Sequence, residues 1–152
     1  MTLIQNILVP VDFTESSLYA ARYAASLAQK HNGRLYVLHV KEPFPVHGRI
    51  VAGSLEDVQE HRMIKEQTEL PKVIPAEIKN SIDVEEVQVS GIPAYRVIVE
   101  KARQFNVDVI VMASQDRKGW LQFFKKNTTA QVIRNAPCSV FVVRLPEGNA
   151  DK

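Results

Sequence analysis

The chain has 152 residues with a net charge of +2, and 45% of its residues are apolar and 24% are charged. This length suits one domain, and the composition excludes a disordered tail, a collagen-like repeat and a disulfide scaffold. The single cysteine, Cys138, excludes an internal disulfide. The charge balance says little about partners, but the best basic cluster (Arg117, Lys118, Lys125 and Lys126) is interpreted as a solvated face, so no nucleic-acid partner is expected.

The sequence also indicates where the protein is found. No apolar run approaches the roughly 20 residues that a membrane helix needs. The segment Met1–Val11 has no basic region before its apolar run and no cleavage pattern, so we expect no signal peptide. Together with the single cysteine, these features predict a cytoplasmic protein without a membrane partner.

Residues 1–40 predict a β-α-β unit. The short apolar run Asn6–Val11 suits a strand that is buried on both faces of a parallel sheet. Thr14 is typical of a helix N-cap, and the helix should end at Asn32-Gly33, where a left-handed residue is favoured. A second strand is predicted at Leu35–Val40, and such units form parallel pairs with right-handed crossovers.

Residues 41–80 are the least regular part of the chain. Ser54 and Asp57 resemble a capping box that opens a polar helix through about Glu69. Pro71 and Pro75 are expected to break whatever continues, because each removes a helical hydrogen-bond donor. The segment is either an ordinary connection or a lid over a site, and the ordinary connection is favoured.

The second half of the chain continues the alternation of strands and helices. Strands are predicted at Val84–Val89, Val107–Met112 and Ser139–Arg144, which are rich in β-branched residues. Between them, one helix should begin with Pro93 at its first position, and another should cover Thr128–Asn135.

This order of elements predicts an α/β fold with one open parallel sheet of five strands and helices on both faces. The domain covers residues 1–146, and residues 147–152 form a flexible C-terminal tail. Ligands of such sheets bind beyond the carboxyl ends of the strands, where the strand order reverses. The predicted lining residues are Pro10, Val11 and Asp12 after the first strand, Val40 and Lys41 after the second, and Ala113 to Asp116 after the fourth.

Several segments resemble the blocks of universal stress proteins, in the same order along the chain. The opening Ile7–Asp12 (ILVPVD) is similar to the start of that family, and Leu38–Val40 (LHV) is similar to its next block. Gly91–Pro93, Asp108–Met112 and Ala136–Arg144 are similar to the later blocks. The resemblance extends from about residue 4 to residue 144.

The resemblance implies the adenine nucleotide alpha hydrolase-like fold with strand order 3-2-1-4-5. It also implies a homodimer formed through the last strand, Ser139–Arg144. That strand is apolar on both faces, with Phe141 near its middle, and unpaired backbone groups at a sheet edge invite a partner strand. The alternative is that a helix or the tail covers this edge.

A glycine pattern separates the members of the family that bind ATP from those that do not. Binders carry Gly-x-x-Gly, then nine residues, then Gly followed by Ser or Thr, and those glycines let backbone amides approach the phosphates. The matching positions here are Ala113, Asp116 and Lys126, followed by Asn127, so all three glycines are absent. Asp116 puts a carboxylate where a phosphate would lie, and a like charge at contact distance costs about 1 kcal/mol in water.

Two features of this loop remain compatible with a nucleotide. Lys126 offers a phosphate a flexible positive charge. Asn127 can cap the last helix, or Thr128 with Gln131 can form a capping box there, and both Asn127 and Thr128 are candidate binding residues.

The nucleoside side of the site matches the family better. By the resemblance, the Asp after the first strand approaches the ribose, and backbone near the ends of the first two strands meets the base. Asp12, Val11 and Val40 stand at those positions. For Asp12, this role and a second one, helping to cap the first helix, have equal weight.

Three functions follow from these observations. The missing glycines favour a homodimeric regulatory or interaction module of the stress response that acts with a protein partner and does not hold ATP firmly. The first alternative is a sensor that binds ATP, AMP or a related nucleotide through an adapted loop. The second is a slow ATPase or phosphotransferase, for which the sequence shows neither a metal site nor a positioned nucleophile. No residue is assigned to catalysis, and His39 and Cys138 are interpreted as packed side chains.

Overall fold

The computed structural model describes residues 3–42, 63–114 and 128–146. Its five strands pair in parallel and form one sheet. The strands are β1 (Asn6–Pro10), β2 (Arg34–Lys41), β3 (Asp83–Ser90), β4 (Val109–Ala113) and β5 (Ser139–Val143). Their order in the sheet is β3-β2-β1-β4-β5, which confirms the predicted α/β class and the strand order 3-2-1-4-5.

Helices connect the strands. They are α1 (Glu15–His31), the helical residues 63–69 (α2), a 3-10 turn at Leu70–Lys72, α3 (Ala76–Lys79), α4 (Ala94–Gln104) and α5 (Thr128–Asn135). None of the helices in the described part of the chain is both long and apolar enough to cross a membrane. The predicted cap at Ser54 and the predicted tail over residues 147–152 lie outside the described residues.

The helix α1 begins and ends at the predicted residues. The side chain of Thr14 accepts a hydrogen bond from the amide of Ser17, and Asn32 closes the helix with a φ of 51°. The face that α1 turns to the sheet consists mainly of small residues, which let the helix axis approach the strands closely. The fully buried alanines of this face are Ala20, Ala21, Ala24, Ala25 and Ala28.

The predicted start of α4 is wrong by one residue. Pro93 was expected at the first helical position, but it is extended (φ −76°, ψ 155°) and lies outside the helix as its N-cap. Proline has no side-chain acceptor to cap the helix, and the amide of Ala94 instead donates to Glu42 Oε1 at 3.1 Å. The cap of α4 therefore comes from the residue that follows β2.

Strand β4 begins later than the sequence pattern indicates. Val107 was expected in the strand, but its amide donates to Ala102 O at 2.9 Å and so still closes the end of α4. Pairing of β4 with β1 and β5 starts at Val109, and β4 continues through Ala113. The apolar pattern alone does not distinguish a residue that closes a helix from a residue that opens a strand.

The sheet separates two apolar layers. Alternate residues of each strand face opposite sides of the sheet. One set packs against α1, the 3-10 turn and the two residues that follow it, and the other set packs against α4 and α5. The first layer includes Val9, Val11, Leu35, Val37 and Val111, and the second includes Leu8, Leu38, Val40, Ile110 and Met112. These strands are buried on both faces, which is why they read as continuous apolar runs.

Candidate functional site

The strand order reverses between β1 and β4, and the carboxyl ends of these strands lie at one edge of the sheet. Asp12 follows β1, and Ala113 is the last residue of β4. In open parallel sheets this is where a crevice for ligands forms. The structure thus brings Pro10, Val11, Asp12 and Ala113 to the predicted edge, whereas Asp116, Lys126 and Asn127 lie outside the described residues.

Asp12 lies in a tight turn between β1 and α1. Its side chain is buried, and Oδ1 accepts hydrogen bonds from the amide of Thr14, at 3.1 Å, and from the Thr14 hydroxyl. The amide of Asp12 in turn donates to Ser17 Oγ at 3.2 Å. Asp12 therefore orients the residue that caps α1, and no described residue donates to its second oxygen, Oδ2.

The residues on either side of Asp12, Val11 and Phe13, contact strand β2. The amide of Val11 donates to Leu38 O at 2.8 Å, and Val11 O accepts from His39 Nδ1 at 2.8 Å. Because a carbonyl oxygen only accepts, Nδ1 carries the proton in this contact. Phe13 then adopts a left-handed φ of 65°, and its ring lies 4.6 Å from the ring of His39, centroid to centroid.

The other side of this edge is formed by β4 and α5. Thr129 Oγ1 donates to Ala113 O at 3.3 Å, and the amide of Ser114 donates to Val143 O at 2.8 Å. Thr128, a predicted site residue, is the first residue of α5 and is buried. The end of β4 is thus bonded both to the start of α5 and to β5.

Val40 is at the carboxyl end of β2, as predicted, but its side chain belongs to a different layer from that of Val11. Val40 packs in the layer of α4 and α5, and Val11 packs in the layer of α1. The side chains of Val11 and Val40 therefore lie on opposite faces of the sheet. The role expected for Val40 involves its backbone and stays a prediction.

A buried cluster of ionisable side chains lies beside this edge, and the sequence analysis missed it. His39 Nε2 lies 3.2 Å from Glu66 Oε1, and Lys41 Nζ lies 3.2 Å from Glu66 Oε2. His39 was interpreted as packed, and it is fully buried. The sequence feature that could have indicated this cluster is His39 itself, because a polar ring in a strand that is buried on both faces needs polar partners.

Other reactive side chains do not add to the site. Burial raises the pKa of the Cys138 thiol, which disfavours the reactive thiolate. Within residues 3–42, 63–114 and 128–146, no group of three His, Cys, Asp or Glu side chains could hold a metal ion.

Comparison with known protein families identifies the family of this chain. The model of the universal stress protein family matches residues 3–144. The chain belongs to the universal stress protein family. Within this family, the chain is 30% identical over 145 residues to Universal stress protein MJ0531 of Methanocaldococcus jannaschii. That match covers 95% of this chain and 85% of the relative.

Solved structures of universal stress proteins share the fold. UspA from Lactobacillus plantarum is 26% identical with a TM-score of 0.69, and the match covers 92% of this chain and 97% of that one. The universal stress protein from Archaeoglobus fulgidus in complex with dAMP is 23% identical with a TM-score of 0.60, covering 93% and 98%. The fold is therefore the adenine nucleotide alpha hydrolase-like fold.

Proposed function

We propose that this universal stress protein is a regulatory or interaction module of the stress response that does not hold ATP firmly. The observation that carries the proposal is the replacement of all three phosphate-loop glycines by Ala113, Asp116 and Lys126. Side chains at these positions keep backbone amides from approaching a triphosphate, and Asp116 adds a like charge. The cytoplasmic location predicted from the single cysteine is part of the proposal.

Titration calorimetry with ATP and with AMP, with and without Mg²⁺, tests this function. We expect no saturable ATP binding at micromolar concentrations and no thermal stabilisation by ATP, since stabilisation requires binding to the folded state. A variant that restores the glycines, Ala113→Gly with Asp116→Gly and Lys126→Gly, should gain ATP affinity. Micromolar ATP binding by the wild type would overturn the proposal.

A second candidate is a sensor for an adenine nucleotide that is held mainly by its nucleoside part. It is favoured by the Asp12 turn, in which Oδ1 is engaged by Thr14 while Oδ2 accepts from no described residue. A carboxylate oxygen at this edge suits a ribose hydroxyl donor. One structural relative is described in complex with dAMP, which is a nucleoside monophosphate.

The substitution Asp12→Asn separates the two candidates. If the sensor function holds, this variant loses AMP binding, because an amide is a poorer acceptor and can turn its donors to the ribose. The matched control is Asp108→Asn, because Asp108 Oδ2 accepts from the amides of Gln5 and Asn6 at the opposite end of the sheet. AMP affinity that is equal in the wild type and Asp12→Asn contradicts the sensor.

The proposal includes a homodimer formed through the edge strand β5, which was predicted over Ser139–Arg144 and ends at Val143 in the structure. Support comes from the place of β5 at the edge and from the exposure of Phe141 (39%) and Val142 (48%). A groove of about 420 Å³ lies between α1 and β5, lined by Tyr19, Tyr23 and residues 140–144. Sedimentation velocity should give the mass of two chains, and a monomer at all concentrations would reject the dimer.

A further inference from the structure

The helix α2 is docked on the sheet by a carboxylate. Among residues 63–69, the one buried side chain is that of Glu66, with 3% of its surface exposed. Two apolar residues of the same helix, Met63 and Ile64, are 51% and 56% exposed. Met63 and Ile64 therefore face outward, and the inward side of this segment consists of Glu66 and of Leu70, which directly follows α2 and is buried in the apolar layer.

Glu66 contacts two residues of β2 that share one face of the sheet. Its Oε1 lies 3.2 Å from His39 Nε2, and its Oε2 lies 3.2 Å from Lys41 Nζ. A buried carboxylate is costly unless it is paired, and removing one partner of such a pair is strongly destabilising. The position of α2 is therefore tied to β2 through these two contacts.

His39 connects this pair to the turn that carries Asp12. Its other ring nitrogen, Nδ1, donates to Val11 O, and its ring packs against Phe13. His39 thus contacts the residue before Asp12 and the residue after it. The left-handed φ of Phe13 is unfavourable for a residue with a bulky side chain and persists only if surrounding contacts hold it.

We infer that Glu66 is a positioning residue for the Asp12 turn, acting through His39, so that docking of α2 and binding of an adenine nucleotide at Asp12 stabilise each other. The part that concerns the nucleotide rests on the sensor candidate under the proposed function. The mutual effect follows from linkage, since a contact that stabilises the binding conformation is itself stabilised by the ligand.

The positioning role of Glu66 can be tested by measuring amide hydrogen exchange in the variant Glu66→Gln, with no ligand present. Gln has the shape of Glu, but it lacks the charge that pairs with Lys41 and has only one oxygen for the contacts with His39 and Lys41. We expect exchange at the amides of Asp12 and Thr14 to rise by about tenfold, because the turn opens more often. The matched control is Glu69→Gln on the same helix, whose carboxylate is exposed and pairs with Lys72.

Increased exchange confined to residues 63–69 would overturn the inference, because Glu66 would then stabilise only its own helix. If Glu66→Gln does not fold, the variant Lys41→Met is used instead, because it removes one partner of the Glu66 carboxylate. Its amide exchange is measured at the same two residues, Asp12 and Thr14. Unchanged exchange at Asp12 and Thr14 in that variant contradicts the inference equally.

A double substitution tests whether the effect passes through His39. His39→Asn keeps a donor near Val11 O but cannot reach Glu66. We expect Glu66→Gln to weaken AMP binding about tenfold in the wild type and to have no further effect in the His39→Asn background, because coupled residues are non-additive. An equal loss in both backgrounds overturns the route through His39. If the wild type binds no AMP, the sensor candidate fails, and the exchange of Asp12 and Thr14 still decides the positioning role.

Discussion

The two edge strands of the sheet have opposite chemistry. β3 carries the carboxylates of Asp83, Glu85 and Glu86, whereas β5 (SVFVV) has no charged residue. The carboxylates of β3 are held by cations of the same molecule, as Arg34 contacts Asp83 and Glu85, and Lys79 contacts Glu86. On β5, two large apolar side chains are exposed instead.

This difference shows how one parallel sheet can oppose strand pairing with another molecule at one edge and favour it at the other. A partner strand on β3 would bury several carboxylates, and their desolvation would oppose the pairing. A partner strand on β5 would bury apolar side chains and satisfy unpaired backbone groups. The comparison therefore supports the proposed dimer through β5 and predicts that β3 remains unpaired.

The largest expected effect comes from a charge on the β5 edge. Val142→Lys should raise the dissociation constant of the dimer by about 100-fold or more, because the dimer would bury an unpaired ammonium group. Sedimentation velocity over a range of concentrations measures this. The control is Ile64→Lys, an equally exposed apolar residue on α2, and equal dissociation constants for the two variants would contradict the proposed interface.

Removal of charge from the β3 edge should have a smaller and opposite effect. Glu85→Val leaves a more apolar edge, so we expect weak, concentration-dependent association beyond the mass of the wild type. Light scattering detects this as a rise in average mass with concentration. Glu77→Val on α3 makes the same chemical change on an exposed helix, and it should leave the mass unchanged if the edge is responsible.

A change in stability is expected where α3 is attached to β3. Lys79 Nζ donates to Pro71 O at 2.7 Å and pairs with Glu86, and both side chains are mostly buried. Lys79→Met should lower the free energy of unfolding by about 1 kcal/mol. Lys72→Met removes a more exposed pair with Glu69, and denaturant unfolding should show a change below about 0.5 kcal/mol. If both variants lose the same free energy of unfolding, burial does not make the Lys79 pair more stabilising than the exposed pair.

The smallest effect concerns the residue that precedes β5. Burial raises the pKa of the Cys138 thiol, so less of the reactive thiolate forms at neutral pH. We expect a thiol reagent to modify the folded protein at least about fivefold more slowly than the unfolded protein, with the rate rising toward alkaline pH. If the folded and unfolded proteins are modified at the same rate at neutral pH, the Cys138 thiol is not protected by burial.

Helix ends that depend on neighbouring residues could be predicted well from the sequence. Thr14 and Asn32 bound α1 as predicted, because an N-cap and a left-handed C-cap depend on neighbouring residues alone. The helix Thr128–Asn135 has the predicted bounds. The start of α4 and the start of β4 were misplaced, because the deciding hydrogen bonds come from Glu42 and from Ala102, outside the local pattern.

The candidate site was predictable in its position and only partly in its contacts. Asp12 and Ala113 lie at the predicted edge because parallel strands end on the same side of a sheet. The engagement of Asp12 Oδ1 by Thr14 agrees with the second predicted role, in which Asp12 helps to cap α1. The contacts of His39 were not predicted, since they involve residues from three separate parts of the chain.

The sequence by itself determined the α/β class, the five strands and the absence of the phosphate-loop glycines, because apolar periodicity, caps and glycine positions are local properties. Only the tertiary structure decided that Glu66 faces inward while Met63 and Ile64 face outward. The physical reason is that a carboxylate is buried only where cations or donors await it. Here His39 and Lys41 of β2 supply those partners, and the fold alone brings them to α2.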